Sequence, residues 1–148
     1  MREQMTFVEN DGGRAEAGFK GQAGDCVCRS IAIATGKPYR EVYDALNEFA
    51  QSERTGPRKR GKSSARTGVY KDTIRKYMAS IGWQWVPTMQ VGQGCTVHLK
   101  KAELPGGRLV VSVSKHITAV IDGVIHDTHD PSRNGTRCVY GYYRAFAS

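Results

Sequence analysis

The sequence predicts an α+β fold in which N-terminal helices pack on a C-terminal curved antiparallel β-sheet. In three segments between residues 26 and 81, apolar side chains recur with the helical period of about 3.6. From residue 83 onwards, short β-branched and aromatic runs are separated by glycine, proline or Asp-Gly, which is typical of antiparallel strands. Helices that come before the strands, rather than between them, indicate the α+β class. A length of 148 residues fits one domain over residues 1–148.

The predicted helices follow a polar, glycine-rich lead-in over residues 1–21, which is expected to be a short strand or irregular. Asp25 is the expected N-cap of the first helix, and Gly36 ends that helix. Pro38 suits the first turn of the second helix, and Gly82 stops the third. The three predicted helices are Cys26–Thr35, Pro38–Ala50 and Tyr70–Ser80.

Short strands are predicted throughout the C-terminal half of the chain. Asp122 and Gly123 form a strong signal for a two-residue hairpin turn, and with such a turn Ile121 pairs with Val124. The predicted strands are Trp83–Val86, Cys95–Leu99, Leu109–Ser114, His116–Ile121, Val124–Thr128 and Arg137–Tyr143.

The charge of the chain is basic, with 22 Lys and Arg against 14 Asp and Glu, a formal net charge of +8. Much of the excess lies in residues 53–68, which are predicted to form a basic flexible loop. This segment has no interleaved aromatic residues and no zinc-finger spacing. A solvated loop is therefore favoured over a binding surface for nucleic acid or an acidic partner. Its basic residues are Arg54, Arg58, Lys59, Arg60, Lys62 and Arg66.

The cellular location expected from the sequence is the cytoplasm. The segment from Met1 to Asn10 does not resemble a secretory signal, and no run approaches the ~20 apolar residues of a membrane span. The four cysteines, at positions 26, 28, 95 and 138, are accordingly expected to be free thiols. No cofactor is expected, and the sequence leaves the oligomeric state open.

Cys26 is the candidate nucleophile. It follows the expected N-cap and would occupy the first helical position, where free N–H groups and the helix dipole favour a thiolate. Cys28 lies two residues further on, about 200° around the helix, so the two thiols do not face one cleft. The alternative interpretation of Cys26 is a small buried apolar residue without reactivity.

His116 and Asp127 are the candidate partners of the thiol. The hairpin register makes them diagonal neighbours on one face of the sheet, which favours Asp127 over Asp130 as the carboxylate that orients the imidazole. His129 shares that face, but no catalytic role is assigned to it. Gln22 stands where a side-chain amide could donate to an oxyanion, or it is a surface residue of a glycine-rich loop.

The passages DCVCRSIAIATGKPYREVYDALNE, ARTGVYKDTIRKY, GCTVHL and SKHITAVIDGVIHDTHDPSR carry a resemblance to known proteins. The order of glutamine, Asp-Cys at a helix start, late histidine and aspartate resembles the papain-like cysteine peptidase clan, especially bacterial double-glycine peptidases. The passages also resemble small phage and prophage proteins, which implies a phage-encoded protein in the host cytoplasm. The resemblance covers most of residues 20–145 and implies a papain-like fold.

The resemblance also implies roles for the matching residues: Gln22 as the oxyanion donor, Cys26 as the nucleophile, His116 as the general base and acid, and Asp127 as the orienting residue. In papain the glutamine stands six residues before the cysteine, a spacing that Gln22 and Cys28 match. Cys28 is therefore the alternative nucleophile.

Three functions follow from these patterns as hypotheses. The first is a cysteine-type peptidase, isopeptidase or related acyl transferase that acts on a peptide or protein substrate. The second is a non-catalytic binding module that engages a host protein or nucleic acid through the basic loop. The third is a zinc site, which is disfavoured because C-x-C is an unusual ligand spacing. Its ligands would come from Cys26, Cys28, His116, His126 and His129.

Overall fold

The computed structural model describes residues 6–20, 24–53, 61–90 and 92–146. Within them the fold is α+β, with three α-helices and a six-stranded mixed sheet. The helices are α1, Cys26–Thr35; α2, Tyr39–Ala50; and α3, Lys71–Ser80. A single 3₁₀ turn covers Lys101–Glu103.

Both ends of α1 lie at the residues that the local sequence predicts. Gly36 adopts a left-handed conformation with φ 77°, and its N–H donates to the carbonyl of Ala32 at 3.0 Å. Asp25 does precede the helix, but its side chain makes no capping hydrogen bond. Asp25 is thus the N-cap residue that the sequence predicts, and its carboxylate is buried in an ion-pair network, described below, instead of capping the helix.

The sheet has the strand order β1-β5-β4-β3-β6-β2. All neighbouring pairs are antiparallel except β1 and β5, which are parallel, so the expectation of a purely antiparallel sheet was wrong at this edge. The start of the lead-in segment, Thr6–Glu9, runs along the edge of β5 in the same direction. The strands are β1, Thr6–Glu9; β2, Trp83–Pro87; β3, Arg108–Val113; β4, His116–Ile121; β5, Val124–Asp127; and β6, Val139–Ala145.

The β4–β5 hairpin has the predicted register. Ile121 pairs with Val124 across the two-residue turn, in which Asp122 and Gly123 have φ values of 49° and 80°. Positive φ at both positions is the geometry that favours Asp-Gly in such hairpins. The turn thereby brings the far ends of β4 and β5 side by side, where His116 and Asp127 lie.

The segment Cys95–Leu99 is not a strand, contrary to the prediction. It forms one isolated bridge, between His98 and Cys138, and its neighbours Gly92 and Gly94 both adopt positive φ. A disulfide joins Cys95 to Cys138, so the expectation of four free thiols was wrong for this pair. Cys26 and Cys28 are free. The disulfide and the bridge hold this segment against the start of β6.

Apolar side chains cover both faces of the sheet. One cluster joins the three helices to the sheet and contains Ile31, Val42, Met78, Ala119 and Tyr143. The other packs between the opposite face and the segment that follows β2, and includes Leu99, Val111, Val120 and Ile125. Burial of β4 and β5 between these clusters explains why β-branched residues dominate those strands. No helix in the described ranges is both long and apolar enough to span a membrane.

Candidate active site

The N-terminus of α1 lies against the start of β4 and places Cys26 beside His116. Ser30, one turn into the helix, fixes this contact, because its hydroxyl lies 2.6 Å from the carbonyl oxygen of Cys26 and 2.9 Å from that of Ile117. The His116 imidazole and the backbone N–H of Ile117 both act on the Cys26 thiol, and each lowers its pKa. One short helix and one strand end therefore define the position of the sulfur.

The Cys26 thiol is biased towards the thiolate. Burial raises its pKa, but the hydrogen bond and the charge of His116, the N–H of Ile117 and the charge of Arg29 together lower the pKa below its usual value. A lowered thiol pKa next to an imidazole is the condition that makes cysteine a nucleophile near neutral pH.

His116 holds the position between the thiol and a carboxylate. Its Nε2 lies 2.8 Å from Oδ2 of Asp127, which leaves Nδ1 as the ring nitrogen available to Cys26. Burial lowers the pKa of His116, but hydrogen bonds and charge from Asp127 and Cys26 outweigh burial and raise the pKa to about 9. The imidazole is therefore held as imidazolium at neutral pH, the partner that a thiolate requires.

Asp127 is 1% exposed and is surrounded by donors. Besides His116, it accepts hydrogen bonds from the hydroxyl of Thr118 at 2.6 Å, the N–H of Thr128 at 2.7 Å and Nη2 of Arg29 at 3.1 Å. Burial raises the pKa of Asp127, but the bonds from His116 and Thr118 prevail and lower the pKa to about 2. The carboxylate is fixed and ionised, so it orients the imidazole rather than exchanging protons with it.

Arg29 links this carboxylate to a second one, and the sequence analysis missed that role. Its guanidinium lies between Asp127 and Asp25, with Nη1 2.6 Å from Oδ1 of Asp25. The hydroxyl of Tyr39 donates to the other oxygen of Asp25 at 2.7 Å, and Nε of Arg14 lies 3.6 Å from it. The available signal was the i,i+4 spacing of an acid and a base across the helix start.

Cys28 faces away from this site, into the core. It is fully buried, and its thiol donates to the carbonyl of Tyr39 at 3.7 Å. Burial, with the negative charge of Asp25, raises the pKa of Cys28 to about 12. The structure therefore favours Cys26 over Cys28 as the reactive thiol, in agreement with the opposite helix faces expected for the two residues.

Several other candidate residues lie elsewhere or outside the described ranges. Gln22, Arg54, Arg58, Lys59 and Arg60 fall outside those ranges. Lys62 Nζ donates to the carbonyl of Gln51 at 3.0 Å, and Arg66 Nη2 donates to that of Lys20 at 3.0 Å. These two basic side chains thus contact the protein's own backbone.

The possible metal ligands that lie close together at the site are not the set that the zinc hypothesis named. His116, Asp127 and His129 each place one possible ligand atom within 4.8 Å of the others, and the His116 and His129 rings lie 4.9 Å apart. Cys26, Cys28 and His126 do not belong to this group. Asp127 is buried and already accepts hydrogen bonds from His116, Thr118, Thr128 and Arg29. Its lone pairs are therefore used within the protein rather than by an ion.

No protein-family model matches the chain, and no curated protein or solved structure matches it either.

The site contains a thiol with a lowered pKa, an imidazole with a raised pKa and a buried ionised carboxylate, in that order. Perturbed pKa values that cluster in one place are typical of functional sites. Such a set can attack an electrophilic carbon and return a proton to the leaving group.

Proposed function

We propose that the protein is a cysteine-type hydrolase or acyl transferase with a papain-like arrangement, acting on amide or thioester bonds of a peptide or protein substrate. The observation that carries the proposal is the placement of the His116 imidazole between the Cys26 thiol, whose pKa it lowers, and the buried carboxylate of Asp127, which lies 2.8 Å from its Nε2. A structural histidine does not require both a thiol with a lowered pKa on one side and a buried carboxylate on the other.

The reaction begins with the thiolate–imidazolium pair. The sulfur of Cys26 attacks the carbonyl carbon, and the carbonyl oxygen becomes an oxyanion beside the free N–H groups at the start of α1. His116 donates its proton to the departing amine or thiol, and the carbon–nitrogen or carbon–sulfur bond breaks. The neutral imidazole then takes a proton from water, or from an acceptor amine, which displaces the sulfur and releases the acyl group.

The proposal is tested by alkylation of the folded protein with iodoacetamide, followed by peptide mapping. At pH 6.5 we expect Cys26 to react at least about tenfold faster than a cysteine in an unstructured peptide, because its thiolate fraction is higher. His116→Ala should remove most of this advantage. His129→Ala is the matched control, because this second imidazole is adjacent to the first, but its described hydrogen bond is to Thr128 and not to Asp127.

Two results would contradict the proposal. If Cys26 reacts no faster than the peptide thiol, the site has no activated nucleophile, and a binding module becomes the better interpretation. If His129→Ala slows the reaction as much as His116→Ala does, the advantage comes from general basicity of the surface and not from the Cys26–His116 pair.

A further inference from the structure

A cavity of about 130 Å³ lies between α3 and the helix-facing side of the sheet. Its walls are mainly apolar and aromatic, and two cations contribute to its lining. The lining residues are Lys71, Ile74, Arg75, Trp85, Ser112, Ile117, Tyr140 and Tyr143. An apolar cavity of ~150 Å³ is large enough to hold a benzene ring, so this one suits a single aromatic or branched aliphatic group.

Ser112, with its short side chain, lies in the floor of the cavity. Ile117 pairs with Ser112 across β4 and β3, and Ser112 pairs with Gly141 across β3 and β6, so the three share one face. The Trp85 indole covers Gly141, so the depression lies over Ser112, with Trp85 and Ile117 among its walls.

Gly141 is required for the shape of the opposite wall. A Cβ at this position would overlap the indole ring of Trp85, which lies directly against the glycine backbone. The Trp85 ring also packs on Tyr143, with 5.0 Å between the ring centroids. A glycine inside a strand often marks a place where another group approaches closely, and here it lets the indole lie low on the sheet.

Ile117 connects the cavity to the candidate nucleophile. Ile117 lines the cavity, and its neighbour in the chain is His116. The Ser30 hydroxyl lies 2.6 Å from the carbonyl oxygen of Cys26 and 2.9 Å from that of Ile117, and both residues pack against the same apolar cluster. A group bonded to the sulfur of Cys26 therefore begins near the residue that forms the cavity wall.

The two cations at the cavity determine which groups it disfavours. Lys71 and Arg75 lie on α3, are exposed and line the cavity together with Tyr143. No acidic side chain lines this cavity. A cationic group is therefore repelled, and a neutral apolar group is accepted.

We propose that this cavity is the specificity pocket of the thiol site and that it accepts an aromatic or branched aliphatic side chain on the acyl side of the bond attacked by Cys26. This inference rests on the proposed function, because a specificity pocket requires a reaction to direct. It adds a substrate class to that function: acyl groups with a bulky neutral side chain, and neither glycyl nor lysyl groups.

The experiment uses four p-nitrophenyl esters with the same leaving group: N-acetylglycine, N-acetylleucine, N-acetylphenylalanine and N-acetyllysine. The measured quantity is kcat/KM for release of p-nitrophenol by the full chain, corrected for spontaneous hydrolysis. We expect the phenylalanyl and leucyl esters to exceed the glycyl ester by at least about tenfold, the scale of discrimination by an apolar pocket. The lysyl ester should be the poorest substrate with a long side chain.

Variants then test whether the cavity is responsible. Ser112→Leu fills the floor and should reduce the ratio of phenylalanyl to glycyl kcat/KM to near one. Gln84→Leu is the matched control, because this residue neighbours Trp85 on β2 but faces the opposite side of the sheet, and its ratio should equal that of the wild type. Lys71→Glu, at an exposed position, should raise kcat/KM for the lysyl ester relative to the leucyl ester.

The outcomes separate this inference from the proposed function. If all four esters acylate the wild type equally while iodoacetamide reacts rapidly with Cys26, the thiol chemistry stands and the pocket inference is wrong. A Ser112→Leu variant that keeps the wild-type ratio also overturns the pocket inference. If neither esters nor iodoacetamide react faster at Cys26 than at a peptide thiol, both proposals fail together.

Discussion

Replacement of Asp127 by asparagine tests the site most directly, because it removes one charge while retaining the shape of the side chain. In the wild type, His116 has a pKa of about 9 against an ordinary value of 6.5. At about 1.4 kcal/mol for each pH unit, this difference corresponds to about 3 kcal/mol of preference for the imidazolium. Asp127 raises the pKa of His116 through its hydrogen bond and its charge, and Cys26 does the same, so Asp127→Asn should lower this pKa by roughly one to two pH units.

The shifted pKa values of His116 and Asp127 also predict how the free energy of unfolding depends on pH. Since the pKa of His116 is raised in the folded state, its contribution is fully present below 6.5 and is lost as the pH rises through about 9. The pKa of Asp127 is lowered from 3.8 to about 2, so its contribution is present above 3.8 and is lost as the pH falls towards 2. The free energy of unfolding should therefore be highest between about pH 4 and 6.5.

The assays are NMR titration of the His116 ring nitrogens, alkylation of Cys26 across pH and urea unfolding at several pH values. Asp130→Asn is the matched control, because this carboxylate lies three residues away, is exposed and accepts a hydrogen bond only from the local backbone of Ser132 among the contacts described. If His116 titrates near 9 in both variants, Asp127 does not govern the imidazole, and the interpretation of the three residues as one unit is wrong.

Three further predictions concern groups around the site. Arg29→Met should lower the free energy of unfolding, measured by urea titration, by about 3–5 kcal/mol, because it leaves two buried carboxylates without their shared cation. Arg40→Met, which breaks an exposed i,i+4 ion pair with Asp44, should lower it by under about 1 kcal/mol. Cys28→Ala should cost about 1–2 kcal/mol and leave Cys26 alkylation unchanged, and a slower reaction would mean that Cys28 takes part. Reduction of the Cys95–Cys138 disulfide, which closes a separation of 43 residues, should lower stability by up to about 4 kcal/mol, and an unchanged urea midpoint after reduction would contradict a structural role.

The periodicity of apolar residues was sufficient to predict the helices and strands that bury one regular face. The bounds of α1 and β4 agree with the prediction, because a helical repeat ended by glycine and a β-branched run each carry a complete local signal. Prediction failed where pairing depends on distant partners. Strand β1 is parallel to β5, and Cys95–Leu99 forms one bridge instead of a strand. Which segment pairs with the edge of a sheet, and which one packs over its face, depends on tertiary packing.

The candidate site shows the same division. The sequence alone placed Cys26 at a helix start and predicted, from the Asp-Gly turn, that His116 and Asp127 would be neighbours, because turn length determines register. Only the tertiary structure brought α1 against β4, joined the thiol to the imidazole and inserted Arg29 between two buried carboxylates. Those contacts depend on the packing of one helix on one strand end, and no local sequence pattern encodes that distance.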